Sequence, residues 1–227
     1  MNFINIHTHF LPLQKETGEF FLYNLPSQDK EKAEILANTH PEGILFSSGI
    51  HPGEEMDEGA EEKSLAYLEM LAAEKKISAI GECGLDRNSP ISGKRQTLRF
   101  QNQILLSEKY FLPLILHCVH SWEEVFKLRK EMKTSMPWIA HSFRGSPELA
   151  ADLEKKGFYI SFSPVFLKKS ERVKDFDFLS RFFLETDEAP ENIQYFYELL
   201  GAKWELDKNE LAGKIRASFK EVFHEKE

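Results

Sequence analysis

Short apolar runs of β type recur along the chain, and the stretches between them bring apolar residues back every three or four positions. The runs cover residues 3–9, 19–25, 43–50, 78–84, 112–118, 138–143, 158–163 and 181–187. Several are bounded by Gly or Pro, the usual punctuation of strand ends. Residues 64–75 place Leu65, Leu68, Leu71 and Ala72 on one helical face, and residues 95–110 read the same way. Residues 121–133 put Trp122, Val125, Leu128 and Met132 on one side. Ser146-Pro147-Glu148 supplies an N-cap and a first-turn proline before a helix over 149–156, which Gly157 ends. Glu191-Asn192 opens a further helix, and residues 208–224 form a final amphipathic one. The interval between the first two runs is too short for a full helix.

Eight strands alternating with helices predict a parallel sheet with crossover connections. The best fit is an α/β fold, a (β/α)8 TIM barrel that is short and slightly degenerate. An open doubly wound sheet is the alternative. No internal repeat, low-complexity tract or linker interrupts the pattern, which predicts a single domain over residues 1–227.

Composition narrows the function classes. With 41% hydrophobic and 29% charged residues in 227, the chain is neither disordered nor a membrane protein. No apolar run approaches the roughly 18 residues of a membrane span. The start, MNFINIHTHF, lacks the basic and apolar regions of a signal peptide. Two cysteines cannot form a disulfide framework. The expectation is a reduced, cytoplasmic monomer without membrane association. Lys+Arg number 29 against 37 Asp+Glu, a net charge of −8. Proteins that coat nucleic acid carry a basic stripe, which this chain lacks, so any such substrate meets a confined site where metal charge offsets the acid.

Candidate chemistry gathers at the ends of the runs. His7 and His9 end the first, Glu82 lies near the end of the fourth and His117 ends the fifth. His141 lies near the end of the sixth and Asp187 ends the eighth. In a parallel barrel these C-terminal ends converge at one mouth. Positions i and i+2 of a strand share a side, so His7 and His9 can grip one ion. Imidazole and carboxylate donors suit Zn²⁺, Mn²⁺, Fe or Ni, and Mg²⁺ less well. Six ligands are many for one ion with an open position. Two ions sharing a bridging carboxylate fit better, and Glu82 is placed to bridge. Cys83 and Cys118 alternate to the opposite face and read as packing residues. Phenylalanines read as core, with Phe10, Phe143 and Phe166 as candidates for the mouth, and His40 and His224 read as solvent-facing.

Several segments together resemble the TatD-type metal-dependent hydrolases. They are His7-Thr8-His9, Gly49-Ile50-His51-Pro52, Ala79-Ile80-Gly81-Glu82-Cys83-Gly84-Leu85-Asp86, Leu112-Pro113-Leu114-Ile115-Leu116-His117, His141-Ser142-Phe143-Arg144-Gly145 and Glu185-Thr186-Asp187. Gln96, Phe100, Gln103 and Glu108 also fit. The resemblance runs from residue 2 to about residue 223. It implies an amidohydrolase-type barrel, two divalent ions (Zn, Mg or Mn) and hydrolysis of phosphodiester bonds, often in DNA. It makes His7, His9, Glu82, His117, His141 and Asp187 the metal ligands, with Glu82 bridging. The chain departs from the pattern at Val119, where an arginine is frequent. It departs again after Asp187, where Glu188-Ala189-Pro190 leads almost directly into a helix and shortens a loop that adds substrate contacts.

The expected reaction is attack of metal-activated water on phosphorus, with Asp187 as proton acceptor, Glu82 as its catalytic companion, and DNA or a small phosphodiester as substrate. His51 and Arg144 are candidates to hold phosphate, although His51 also suits a cap on the Gly-His-Pro turn and Arg144 a surface position. Asp86 reads as a support for a ligand histidine. His120 either replaces a missing basic group or starts the next helix. The acidic stretch 54–62 repels a polyanion unless it points away. Alternatives are an amide or lactone hydrolase on the same scaffold, which Glu82 disfavours where a carboxylated lysine would stand, a PHP-type phosphoesterase, and a non-catalytic metal-binding protein.

Overall fold

The computed structural model describes residues 3–11, 19–26, 30–39 and 42–223. Each apolar run contains a strand: β1 (Phe3–Thr8), β2 (Glu19–Asn24), β3 (Ile44–Ser48), β4 (Ala79–Asp86), β5 (Leu114–Val119), β6 (Trp138–Phe143), β7 (Phe158–Phe162) and β8 (Phe182–Leu184). They form one sheet whose neighbours follow sequence order, and the pairs β1–β2, β3–β4, β4–β5 and β7–β8 are parallel. A further parallel bridge joins Thr8 to Asp187, just beyond β8. This is the strand order of a (β/α)8 barrel rather than of a doubly wound sheet.

The helices are α1 (Lys30–Thr39), α2 (Glu58–Ala73), α3 (Gly93–Tyr110), α4 (Trp122–Glu131), α5 (Pro147–Lys155), α6 (Pro164–Lys169), α7 (Ile193–Trp204) and α8 (Lys208–Phe223), with a 3-10 turn at Glu171–Phe176. Capping explains where several start. Ser146 Oγ accepts the Leu149 N–H at the head of α5, and Asn192 Oδ1 accepts that of Gln194 at the head of α7. Helix α2 begins six residues ahead of its hydrophobic pattern because Asp57 Oδ1 accepts the Ala60 N–H at 2.7 Å. Helices α1 and α6 are additions to the elements that periodicity predicts.

The chain divides into two compact units, one of Met1–Tyr23, Pro41–Leu45 and Ile139–Glu227, the other of Asn24–His40 and Phe46–Trp138. The first is packed by aromatics. Phe162 lies edge-on to Phe176 and Trp204 at 5.5 and 6.0 Å between ring centroids, and Trp204 meets Phe182 at 4.9 Å. Buried Tyr197 of α7 locks onto β1 by accepting the Ile4 N–H and donating to the Ile4 carbonyl. In the second unit Phe100 of α3 meets Trp138 at 5.4 Å over buried Ile80, Leu114 and Leu116.

The buried face of α3 also carries Gln96, Arg99 and Gln103, and these polar groups satisfy loop backbone that would otherwise be buried unpaired. Gln96 accepts from the Asp86 N–H and donates to the Asp86 and Ile91 carbonyls. Gln103 brackets Ile50 in the same way. The loops after β3 and β4 are thereby fixed to a helix, not left to solvent.

Candidate functional site

In the first unit, β1 delivers His7, wholly buried, and His9, which follows it and is one-third exposed. Their Nε2 atoms lie 3.2 Å apart. Asp187 Oδ1 lies 3.9 Å from His7 Nε2 and 3.7 Å from His9 Nε2. The backbone sets this approach: the Asp187 N–H donates to the His7 carbonyl and the His9 N–H to the Asp187 carbonyl, each at 3.1 Å. Asp187 has φ +53, a left-handed turn that ends the strand three residues earlier than its apolar pattern suggests. From β6, the His141 ring centre stands 4.5 Å from that of His7. Donor atoms of His7, His141 and Asp187 all lie within 4.8 Å of one another.

In the second unit, Glu82 Oε1 of β4 lies 2.8 Å from His117 Nδ1 of β5 and 3.6 Å from His51 Nε2. His51 Nε2 and His117 Nδ1 are 3.3 Å apart, and the three residues offer donor atoms within 4.8 Å of one another. His117 Nε2 faces Asp86 Oδ2 at 3.3 Å. Strands β4 and β5 come this close because Gly84 has no side chain: a Cβ there would stand 2.0 Å from the His117 carbonyl oxygen, and its φ is +141. His51 has a role at each ring nitrogen. Its Nδ1 accepts the Gly53 N–H at 3.0 Å and so closes the Gly-His-Pro turn, while its Nε2 points at Glu82.

Both clusters have the donor chemistry of a divalent transition metal: imidazole nitrogen with carboxylate oxygen. Two donors each about 2.1 Å from one ion stand about 3.0 Å apart at a right angle and about 3.6 Å apart at 120°. The separations of 3.2, 3.7 and 3.9 Å in the first cluster, and 2.8, 3.3 and 3.6 Å in the second, bracket that range.

The remaining candidates differ in burial and partners. Arg144 is exposed and donates to Ser142 Oγ. His120 is exposed with φ +53, just ahead of α4. His40 and His224 lie outside the described residues. Phe143 is buried, Phe166 is half-buried and stacks on Phe162, and Phe10 is 55% exposed. Cys83 and Cys118 are free thiols; burial pushes Cys83 far up and Cys118 up to about 12, which makes both poor nucleophiles. Within the acidic stretch, Asp57 caps α2, and Glu61 pairs with Arg95 and Arg99.

Two residues escape sequence reasoning. Arg99, 1% exposed, donates to the His51 and Glu54 carbonyls and so holds the turn that carries His51. Glu185, 0% exposed, accepts the Ser142 N–H at 2.9 Å and lies 3.3 Å from His141 Nδ1. The signal for Arg99 was a cation on the apolar face of a helix. The signal for Glu185 was its place in the Glu185-Thr186-Asp187 motif, two positions before Asp187.

A sheet in barrel order with imidazole–carboxylate clusters on its strands defines an α/β-barrel protein with candidate His/Glu/Asp metal sites. The family described as TatD related DNase matches residues 13–224, and the chain belongs to it. Among its relatives is the Uncharacterized metal-dependent hydrolase YabD of Bacillus subtilis, 37% identical over 135 residues, which are 58% of this chain and 52% of that protein. Another is the 3'-5' ssDNA/RNA exonuclease TatD of a Rahnella species, 32% identical over 122 residues, 53% and 46% of the two chains. The matched region thus spans about half the length of these curated relatives. The crystal structure of YjjV, a TatD homologue from Escherichia coli, superposes with a TM-score of 0.79 at 21% identity, covering 99% of this chain and 98% of that one. A TatD family hydrolase from Entamoeba histolytica gives 0.72 at 17% identity, covering 98% of each. The fold is therefore the α/β barrel of eight parallel strands.

Proposed function

We propose that the chain is a divalent-metal-dependent hydrolase of phosphodiester bonds acting on nucleic acid, in the first place as a deoxyribonuclease. The observation that carries the reading is the convergence of His7, His9, His141 and Asp187 in a chain of the TatD-related family. The exonuclease name of the Rahnella relative supports the substrate class. The net charge of −8 restricts contact to a confined stretch of strand, not a long duplex.

In this reading His7, His9, His141 and Asp187 would hold one divalent ion and Glu82 with His117 another, as Zn²⁺, Mn²⁺ or Mg²⁺. Such ions polarise a phosphoryl oxygen and bring the pKa of water toward neutrality. Asp187 keeps part of its carboxylate exposed and accepts the proton of the attacking water. His51, held by the Gly53 N–H at Nδ1, would hold a phosphate oxygen through Nε2, leaving Glu82 and His117 to the ion. Arg144, with an exposed guanidinium, supplies a forked donor for a second phosphate oxygen.

The test is hydrolysis of an end-labelled single-stranded oligonucleotide by metal-stripped protein refilled separately with Mg²⁺, Mn²⁺ and Zn²⁺, beside Asp187→Asn. Metal-dependent shortening, reduced at least about 100-fold in the variant, is expected. An oligonucleotide left intact under all three metals, with bis-p-nitrophenyl phosphate still hydrolysed, would remove nucleic acid as the substrate and leave the metal-dependent phosphodiesterase. No turnover of either substrate would overturn the enzyme reading.

A further inference from the structure

We infer that Glu185 is a positioning residue for His141, fixing the imidazole so that Nδ1 carries the proton and Nε2 is left as the donor atom; the inference rests on the proposed metal-dependent reading for its consequence, not for its geometry. Three observations combine. Glu185 is wholly buried, and so is an unusual place for a carboxylate. Its Oε1 is 3.3 Å from His141 Nδ1. The same oxygen accepts the Ser142 N–H at 2.9 Å, and Ser142 has φ +50, in the left-handed region that is uncommon for a non-glycine residue. One carboxylate thus fixes both the ring of His141 and the turn of backbone that immediately follows it.

Among the described residues, no Lys or Arg ion pair to Glu185 occurs, so the groups that face its carboxylate are the Ser142 N–H at 2.9 Å and His141 Nδ1 at 3.3 Å. A buried carboxylate in that setting favours the Nδ1–H tautomer, since a bare Nδ1 would set two lone pairs against each other. With Nδ1 protonated, Nε2 is the basic nitrogen. The 3.3 Å approach of the carboxylate also raises the electron density of the ring and favours one ring orientation, which is how an outer carboxylate tunes a metal-binding histidine. The neighbouring Thr186 supports the arrangement: its N–H donates to Asn5 Oδ1 and its hydroxyl to Thr8 Oγ1, which anchors the segment between Glu185 and Asp187 to β1. Glu185 and Asp187 therefore divide the work of one short stretch, Glu185 gripping His141 while Asp187 approaches His7 and His9.

The discriminating variant is Glu185→Gln, which keeps the size of the side chain and an oxygen to accept the Ser142 N–H but removes the charge. Two readouts on the whole chain test it. In metal-free protein at pH 8, above the ordinary imidazole pKa of about 6.5, nitrogen-15 NMR of the ring assigned to His141 (by its loss in His141→Asn) should report Nδ1–H in the parent chain and a shift toward Nε2–H in the variant. In calorimetric titration of stripped protein with Mn²⁺ or Zn²⁺, binding that involves His141 should weaken about 10- to 100-fold in the variant, with thermal melting moved by no more than a few degrees. An Nε2–H ring in the parent chain overturns the inference, and so does an unchanged tautomer in the variant. Metal affinity within twofold of the parent also overturns it, as does a loss of affinity accompanied by a large fall in melting temperature, which would mark Glu185 as a general packing residue. A parent chain that binds no divalent ion but shows the tautomer switch would sink the proposed function while leaving the positioning role standing.

Discussion

Removing Arg99 by Arg99→Met should destabilise the chain through a defined set of lost bonds. The guanidinium is buried, donates to the His51 and Glu54 carbonyls at 3.0 Å each, and meets Glu61 Oε2 at 2.9 Å. Methionine of similar length refills most of the space but leaves both carbonyls without that donor. Breaking a buried ion pair from one side costs about 3–5 kcal/mol. Arg95 still holds Glu61 at 2.9 Å, which reduces the loss to about 2–3 kcal/mol. At about 2–4 °C per kcal/mol for a chain of this length, the melting temperature should fall by about 4–12 °C. The effect has a pH signature. Burial by itself would raise the Glu61 carboxyl, but Arg99 foremost, and then Arg95, outweigh it and hold the group below the usual carboxylate range. Its stabilisation is therefore complete above the unfolded value of about 4.3 and is lost as pH falls through the lower folded one. Calorimetric melts of both proteins between pH 7 and pH 3 should show the gap narrowing in acid. A fall under 2 °C at neutral pH, or a gap that widens on acidification, would refute the argument.

Gly84→Ala should be far more damaging, above about 4 kcal/mol, because its methyl would collide with the His117 carbonyl at a backbone φ of +141; a variant with parental melting temperature would show that β4 and β5 can separate. Gly213→Ala is the counter-case: its helical site is open to a Cβ, so the variant should gain about 0.5–1 kcal/mol, read as a rise of a few degrees in the same melt. Asp57→Ala should cost about 1 kcal/mol through loss of the α2 cap and leave hydrolysis unchanged; a large change in turnover would mean that the acidic stretch meets substrate. Native protein at pH 8 should react slowly with a thiol-specific disulfide reagent, since burial holds both thiols protonated, and fast labelling of either cysteine would contradict that.

Local physics made most of the architecture legible in the sequence. The eight strands, and the helices that begin at Ser146 and Asn192, follow from period-two and period-3.6 patterns and from caps, all of which act over a few residues. The His-x-His pair is legible for the same reason, because alternation alone puts both imidazoles on one side of β1. Boundaries slipped where local and tertiary demands differ. Helix α2 starts at Glu58 because a carboxylate cap can begin a helix before its apolar face begins, and β8 ends at Leu184 because Asp187 turns left-handed to bond β1.

What the tertiary structure decided is which polar groups meet when buried. Glu185 finds Ser142 across 43 positions, Arg99 finds the His51 carbonyl across 48, and Gln103 finds Ile50 across 53. No pattern within a single element encodes such pairs. Hydrophobic periodicity says which face turns inward, whereas a buried donor or acceptor must find its partner wherever the fold brings one, and the cost of leaving it unpaired makes the meeting obligatory.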